Sequence, residues 1–252
     1  MEDLQYCTIL KTRINVTSMQ DTLAYIDAHL DELRGRYICV SNVHTTVMSY
    51  ENERYRAVQN GAAMALPDGA PLSKYSRMKG FAGAQRVTGP DLMTELFRIS
   101  GQRGYRHFFY GSTQETLDGM KAALARNYPG AAVAGMYAPP FRPLTEEEDQ
   151  KIIEQINQTK PDFIWVGLGA PKQEEWMAAH QGKLNAPAVG VGAGFDYLAG
   201  NIKRAPRFMQ VLCLEWLYRL LQDPKRLWKR YVTTNLKFIK YILKEERNKK
   251  KG

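Results

Sequence analysis

The chain has 252 residues, of which 44% are hydrophobic and 24% charged, so it can bury a full core and is too apolar to be disordered. Its three cysteines, Cys7, Cys39 and Cys213, lie far apart with no CxxC pair, which argues against a disulfide framework or a zinc cluster and fits a reducing cytoplasm. The net charge of +9 is unevenly spread: residues 203–252 hold 15 of the 35 Lys/Arg and four of the 26 Asp/Glu, so that segment is +11 and the rest is −2. This distribution disfavours a uniformly basic nucleic-acid-binding domain and favours a tail addressed to phosphates, on lipid or on nucleic acid. No apolar run approaches the ~18 residues of a membrane span. Met1-Glu2-Asp3-Leu4 lacks the basic and apolar regions of a signal peptide.

In chain order, a strand pair at 7–9 and 14–16 leads to a helix at 19–33, opened by Ser18 and Asp21 as a capping box. A strand at 36–41 precedes a helix at 45–59, and a strand at 62–66 follows. A helix at 91–100, a strand at 106–110, a helix at 114–127 and a strand at 131–136 come next. Thr145 and Glu148 resemble a second capping box, at the start of a helix over 146–157. Strands at 163–167 and 188–191 flank a helix at 172–181. The central strands are too apolar to alternate, as in a sheet covered on both faces. The pattern predicts an open, mostly parallel α/β sheet, whose ligands bind at the carboxyl ends of the strands.

Beyond Gly200 the pattern changes. Residues 208–222 read as an apolar helix, and Pro224 opens another. At about 100° per residue, Arg226, Lys229, Arg230, Lys237, Lys240 and Lys244 fall on one side of it. Leu227, Trp228, Tyr231, Val232, Phe238, Ile239 and Ile242 fall on the other. A basic amphipathic helix has two readings: contact with a membrane surface, or packing on the body with a solvated basic face. The predicted division is therefore 1–202 as an α/β body and 203–252 as a basic helical appendage.

Five segments can carry chemistry. In Leu66-Pro67-Asp68-Gly69 a carboxylate follows an apolar strand directly, where it can act as general base, although an Asp-Gly pair also reads as a turn. In Arg86-Val87-Thr88-Gly89-Pro90-Asp91, Arg86 can clamp a phosphate and Thr88 can donate to one. A plain loop before a helix explains the same residues. Tyr110-Gly111-Ser112 ends a strand where backbone N–H groups can face a pyrophosphate. Gly167-Leu168-Gly169-Ala170-Pro171-Lys172-Gln173-Glu174 runs from a strand through a Gly-rich turn to a helix start bearing Lys and Gln, which suits a nucleotide diphosphate or a sugar hydroxyl. Gly190-Val191-Gly192-Ala193-Gly194-Phe195-Asp196 fails GxGxxG at its third glycine, which disfavours a dinucleotide. No Walker A, D-x-D or G-x-S-x-G motif occurs. His29, His44, His107 and His180 show no ligand spacing, with His44 closest to a strand end.

Taken in order, Asn42 after a strand, Leu-Pro-Asp68-Gly, Arg86-Val-Thr-Gly-Pro-Asp91, Tyr-Gly-Ser112, Pro139-Pro140-Phe141, Gly-Leu-Gly-Ala-Pro-Lys-Gln173-Glu and Gly-Ala-Gly-Phe-Asp196 form a specific set. They continue through Arg204-Ala-Pro, Glu215-Trp216, Asp223-Pro224 and Arg230-Tyr231. Over residues 6–243 the chain closely resembles the WecG/TagA/CpsF family of bacterial glycosyltransferases, glycosyltransferase family 26. The resemblance implies a Rossmann-like domain with a C-terminal appendage that completes the site and touches the membrane. It implies inverting transfer, without metal or other cofactor, from a UDP-sugar to a sugar on polyprenyl diphosphate at the inner membrane face. The donors it implies are of ManNAc, ManNAcUA or glucose type.

By the same resemblance Asp68 matches the proposed base. Asn42, Ser41, Arg86, Thr88, Asp91, Gly111, Ser112, Gly169, Lys172, Gln173 and Asp196 line the substrates. Arg204, Arg207, Arg219, Arg226, Lys229 and Arg230 face the acceptor diphosphate. Many members have Thr-Pro-Asn where this chain reads Val40-Ser41-Asn42, so either Ser41 replaces the Thr hydroxyl or the sugar contacts differ. The expected partners are the two substrates and an anionic membrane surface, with no nucleic acid and with homo-oligomerisation open. The rival class is a nucleotide- or nucleic-acid-binding protein whose basic tail meets phosphates without catalysis.

Overall fold

A computed structural model describes residues 4–206, 208, 209 and 214–249. Strands β1 (Tyr6–Ile9) and β2 (Thr12–Asn15) form an antiparallel hairpin. It is fixed to the main sheet by Asn15, whose side-chain oxygen accepts from the Ala65 N–H at 2.6 Å. The main sheet contains β3 (Tyr37–Ser41), β4 (Met64–Pro67), β5 (Arg106–Gly111), β6 (Ala132–Tyr137), β7 (Phe163–Gly167) and β8 (Ala188–Gly190). Their order is β4-β3-β8-β7-β5-β6 and every pairing is parallel. This is the predicted α/β, Rossmann-like architecture.

The alternation that is hidden in the apolar strands becomes visible in the two cores. Tyr37, Cys39, Phe108, Tyr110, Ile164 and Val166 fill one face of the sheet. Ile38, Val40, Phe109, Phe163 and Trp165 fill the other. Successive side chains point to opposite faces, and both faces are covered, so the central strands are apolar almost throughout. His107 is buried against Phe163, and its ring accepts from Trp165 Nε1 and meets Ser100 Oγ at 2.7 Å. It is a satisfied core histidine.

Local chemistry divides two helices that the periodicity joined. The helix predicted at 19–33 is α1 (Met19–Ala28) and α2 (Leu30–Leu33), parted at His29. The one predicted at 45–59 is α3 (Val43–Glu51) and α4 (Glu53–Gly61), parted at Asn52, whose extended backbone and side chain cap α4. Helix α5 (Ala70–Met78) was not among the predicted helices. Helices α6 (Gly89–Arg103), α7 (Gln114–Asn127), α8 (Glu146–Gln158), α9 (Lys172–Ala179) and the short α10 (Gly194–Ala199) follow. Both expected capping boxes, Ser18 with Asp21 and Thr145 with Glu148, are formed.

Leu214 is not helical, so a single helix over 208–222 does not form; its described part is α11 (Glu215–Gln222), and 210–213 lie outside the described residues. Helix α12 (Pro224–Lys249) follows. It docks on the body along one edge: Leu227 and Phe238 are buried, and the Tyr241 and Tyr50 rings lie 4.6 Å apart. Glu51 accepts from Tyr241 Oη at 2.6 Å and pairs with Lys237 at 2.9 Å. Farther on, Glu246 meets Tyr75 Oη at 2.7 Å and Lys79 Nζ at 2.5 Å. The other edge of the apolar side, Trp228, Val232, Leu236, Ile239 and Leu243, is exposed. Packing on the body thus accounts for only one edge of this helix's apolar side. No helix among the described residues is long and apolar enough to cross a membrane.

Candidate active site

All the main-sheet strands are parallel, so their carboxyl ends share one edge. Asn42 follows β3, Asp68 follows β4, Ser112 follows β5, and the Gly169 and Gly192 turns follow β7 and β8. Four of the five candidate segments therefore contribute to one rim, where open α/β sheets bind ligands. Gly111 has φ 127°, and a Cβ there would sit 2.7 Å from the Gly167 carbonyl carbon, so only glycine lets β5 and β7 close at this edge.

Asp68 is held by its backbone, whose N–H donates to the Ser41 carbonyl at 2.8 Å. The next backbone link, Val87 N–H to the Pro67 carbonyl at 2.9 Å, brings the Arg86 loop against the same strand end. Burial pushes the Asp68 carboxyl up to about 7; Arg86 and Arg219 oppose this, while Glu215 and Asp91 reinforce it. Asp68, Arg86 and Asp91 come from the body and Arg219 and Glu215 from the C-terminal helices, so the two parts of the chain meet at this carboxyl.

The arginines are already engaged by carboxylates. Arg86 pairs with Glu215. Arg204 pairs with Asp91 at 2.7 Å and lies 3.9 Å from Glu215. Arg204 and Arg219 both lie over the Tyr197 ring, at 5.9 and 5.3 Å, and Arg219 donates to the Tyr197 hydroxyl at 3.3 Å. Thr88 caps α6: its Oγ1 accepts from the Asp91 N–H and donates to Asp91 Oδ2 at 2.7 Å. That hydroxyl is buried in the cap.

Gln173 is a buried clamp. Its Oε1 accepts from the Gly169 N–H at 3.2 Å and the Gly192 N–H at 3.1 Å, tying together the turns after β7 and β8. Its Nε2 donates to Glu174 Oε1 at 2.8 Å. A Cβ on Gly190 would lie 3.0 Å from that Nε2, so glycine makes room for the clamp. Glu174 is fully buried, its Oε2 has no hydrogen-bond partner, and burial pushes its carboxyl up to about 7. Ser41 is also fully buried and donates to Gln59 Oε1 at 2.7 Å; Gln59 in turn donates to Tyr55 Oη at 3.0 Å. In this structure the Ser41 hydroxyl faces inward.

Asn42 Oδ1 caps α3 through the His44 and Thr45 N–H groups. His44 faces Thr234 of α12 at 3.5 Å. Ser112 takes a left-handed backbone (φ 62°) ahead of α7. Lys172 is exposed at the start of α9, and Asp196 Oδ1 accepts from Asn201 at 3.2 Å. Lys229 is exposed on α12. Arg207 and the side chains of Arg226 and Arg230 lie outside the described residues. Among the described residues no group of three or more His, Cys, Asp or Glu is arranged to hold a metal ion. The sequence reading missed Tyr197 and the ion pair of Glu215; Glu215-Trp216 marked a resemblance, but nothing in the pattern linked Glu215 to Arg86 across 129 positions.

The family model of the "Glycosyl transferase WecG/TagA/CpsF family" matches residues 7–252. The chain belongs to this family. It is therefore a glycosyltransferase. Among its relatives, a protein of Bacillus spizizenii is 34% identical over 220 residues, covering 87% of this chain and 83% of the relative. One of Bacillus subtilis is 32% identical over 238 residues, covering 94% and 89%. One of Staphylococcus aureus strain MW2 is 31% identical over 192 residues, covering 76% and 74%. All three are named N-acetylglucosaminyldiphosphoundecaprenol N-acetyl-beta-D-mannosaminyltransferase.

Proposed function

We propose that this glycosyltransferase moves N-acetylmannosamine from a UDP-sugar to N-acetylglucosamine on polyprenyl diphosphate, with inversion and without a metal ion. The sugars follow the names of its relatives. The observation that carries the mechanism is the Asp68 carboxyl, at the ligand edge of the sheet and poised near pH 7. A base titrating there combines availability with proton affinity at neutral pH. The acceptor O–H bond breaks and its proton passes to Asp68. The freed oxygen bonds to the donor's anomeric carbon as the bond from that carbon to UDP breaks, and the electron pair leaves on the diphosphate.

Arg86, Lys172 and the helix N-termini at the rim stabilise the departing charge. Arg204, Arg219 and Lys229 face the acceptor diphosphate, and the same role is proposed for Arg207, Arg226 and Arg230 on their sequence alone. Asn42, Ser112, Gly111, Gly169, Asp91 and Asp196 line the donor side, with Thr88, Ser41 and Gln173 as the buried support behind them.

The lipid-linked acceptor brings the protein to the inner face of the cell membrane. The exposed stripe of Trp228, Val232, Leu236, Ile239 and Leu243 supports this, since an apolar stripe flanked by exposed Lys225, Lys229, Lys240 and Lys244 suits an interface of acyl chains and anionic headgroups. A nucleic-acid surface would leave those five side chains in water. The proposal is tested with a panel of UDP-sugars and a short polyprenyl-diphosphate N-acetylglucosamine, each with and without EDTA. The expected result is a disaccharide-lipid from UDP-N-acetylmannosamine at an EDTA-independent rate. Failure of every UDP-sugar overturns the donor class; abolition by EDTA overturns metal independence.

A further inference from the structure

We propose that Glu215 is a positioning residue for the transfer step: it holds the Arg86 guanidinium away from Asp68, so that docking of α11 frees the carboxyl to take the acceptor's proton. This rests on the reading of Asp68 as the base.

The geometry carries the inference. The Val87–Pro67 backbone bond sets the Arg86 loop beside the strand end that bears Asp68. An arginine offers five donors in a fork that fits a carboxylate, and a guanidinium next to an aspartate ordinarily pairs with it. Here it pairs with Glu215 instead, and among the described residues no side-chain hydrogen bond or ion pair reaches Asp68. Charges alternate from Arg86 to Glu215, to Arg204, to Asp91, so Arg86 and Arg204 each have a carboxylate other than Asp68, while Arg219 is held on Tyr197. Asp91 is fixed by Thr88, and Glu215 stands in the first turn of α11, where the helix dipole favours a carboxylate.

The charged groups that act on Asp68 are Arg86 and Arg219, which favour its ionised form, and Glu215 and Asp91, which oppose it. Removing Glu215 deletes one opposing charge and releases Arg86 toward Asp68. Both changes lower the proton affinity of the base. A residue that served only to dock α11 would alter stability or KM and leave that affinity unchanged.

The test is the pH profile of kcat/KM for the full chain and for Glu215→Gln, Glu215→Ala and Glu215→Asp, with melting temperatures alongside. The acid limb, near pH 7 in the parent, should move to lower pH by roughly half a unit or more in the Gln and Ala variants. The rate above the limb should fall about three- to tenfold as the base weakens. Glu215→Asp keeps the charge and should hold the limb close to its parent position. An unmoved limb in whichever neutral variant folds overturns the proposal. Asp68→Asn serves as the control: if it transfers sugar at the parent rate, the base reading fails; if it is inactive while the limb in Glu215→Gln stays put, only the role of Glu215 fails.

Discussion

Asp68 sits in a position that favours its neutral form. Its proton affinity rises from the ordinary 3.8 to about 7 on folding, so the folded chain holds a proton there that the unfolded chain releases. The stability this contributes is complete below about pH 4 and is lost as pH rises through 7. Asn, which cannot ionise, escapes that loss. Asp68→Asn should therefore melt a few degrees higher than the parent at pH 8 and by a smaller margin at pH 5, since about 1 kcal/mol moves a chain of this size by ~2–4 °C. An equal difference at both pH values would show that Asp68 ionises normally in the fold. Such a gain on removing a functional group is expected where function holds a residue in an unfavourable state.

At the scale of elements, the parallel strands and their order of motifs were legible because sheets covered on both faces leave continuous apolar runs. The breaks at His29 and Asn52 were not, because apolar periodicity continues across them; at Asn52 a single capping side chain decides the boundary. Helix α5 was hidden behind Asp68-Gly69, which also reads as a turn; here Gly69 is the N-cap and Pro71 stands in the first turn of the helix. The clamp at Gln173 depends on the approach of Gly169 and Gly192, which a linear motif does not express. Helix α12 was read as having one apolar side; its register against α3 divides that side into a docked edge and an exposed one. The double variant Trp228→Ser, Ile239→Ser should keep its melting temperature within about 2 °C and lose flotation with vesicles rich in anionic lipid, because both side chains are exposed. Undiminished flotation would remove α12 from the membrane account.

Across the whole molecule, the +11 segment does not stand apart from the −2 body. Lys237 reaches Glu51, Arg204 reaches Asp91, and the acids run the other way, from Glu215 to Arg86 and from Glu246 to Lys79. The Glu215–Arg86 and Arg204–Asp91 pairs put this segment against the carboxyl edge of the sheet and complete the charge pattern around Asp68. What the charge arithmetic alone left as a phosphate-seeking tail is, in three dimensions, packed against the body beside Asp68 and Arg86, with an apolar outer face. The central claim is that Asp68 is the base in sugar transfer. Its most direct measurement is the single-turnover rate of transfer from UDP-N-acetylmannosamine to lipid-linked N-acetylglucosamine by the parent and by Asp68→Asn, both shown to be folded. A loss of at least ~10²-fold, the low end for one acid–base group, is the predicted result; transfer by Asp68→Asn at the parent rate would contradict it.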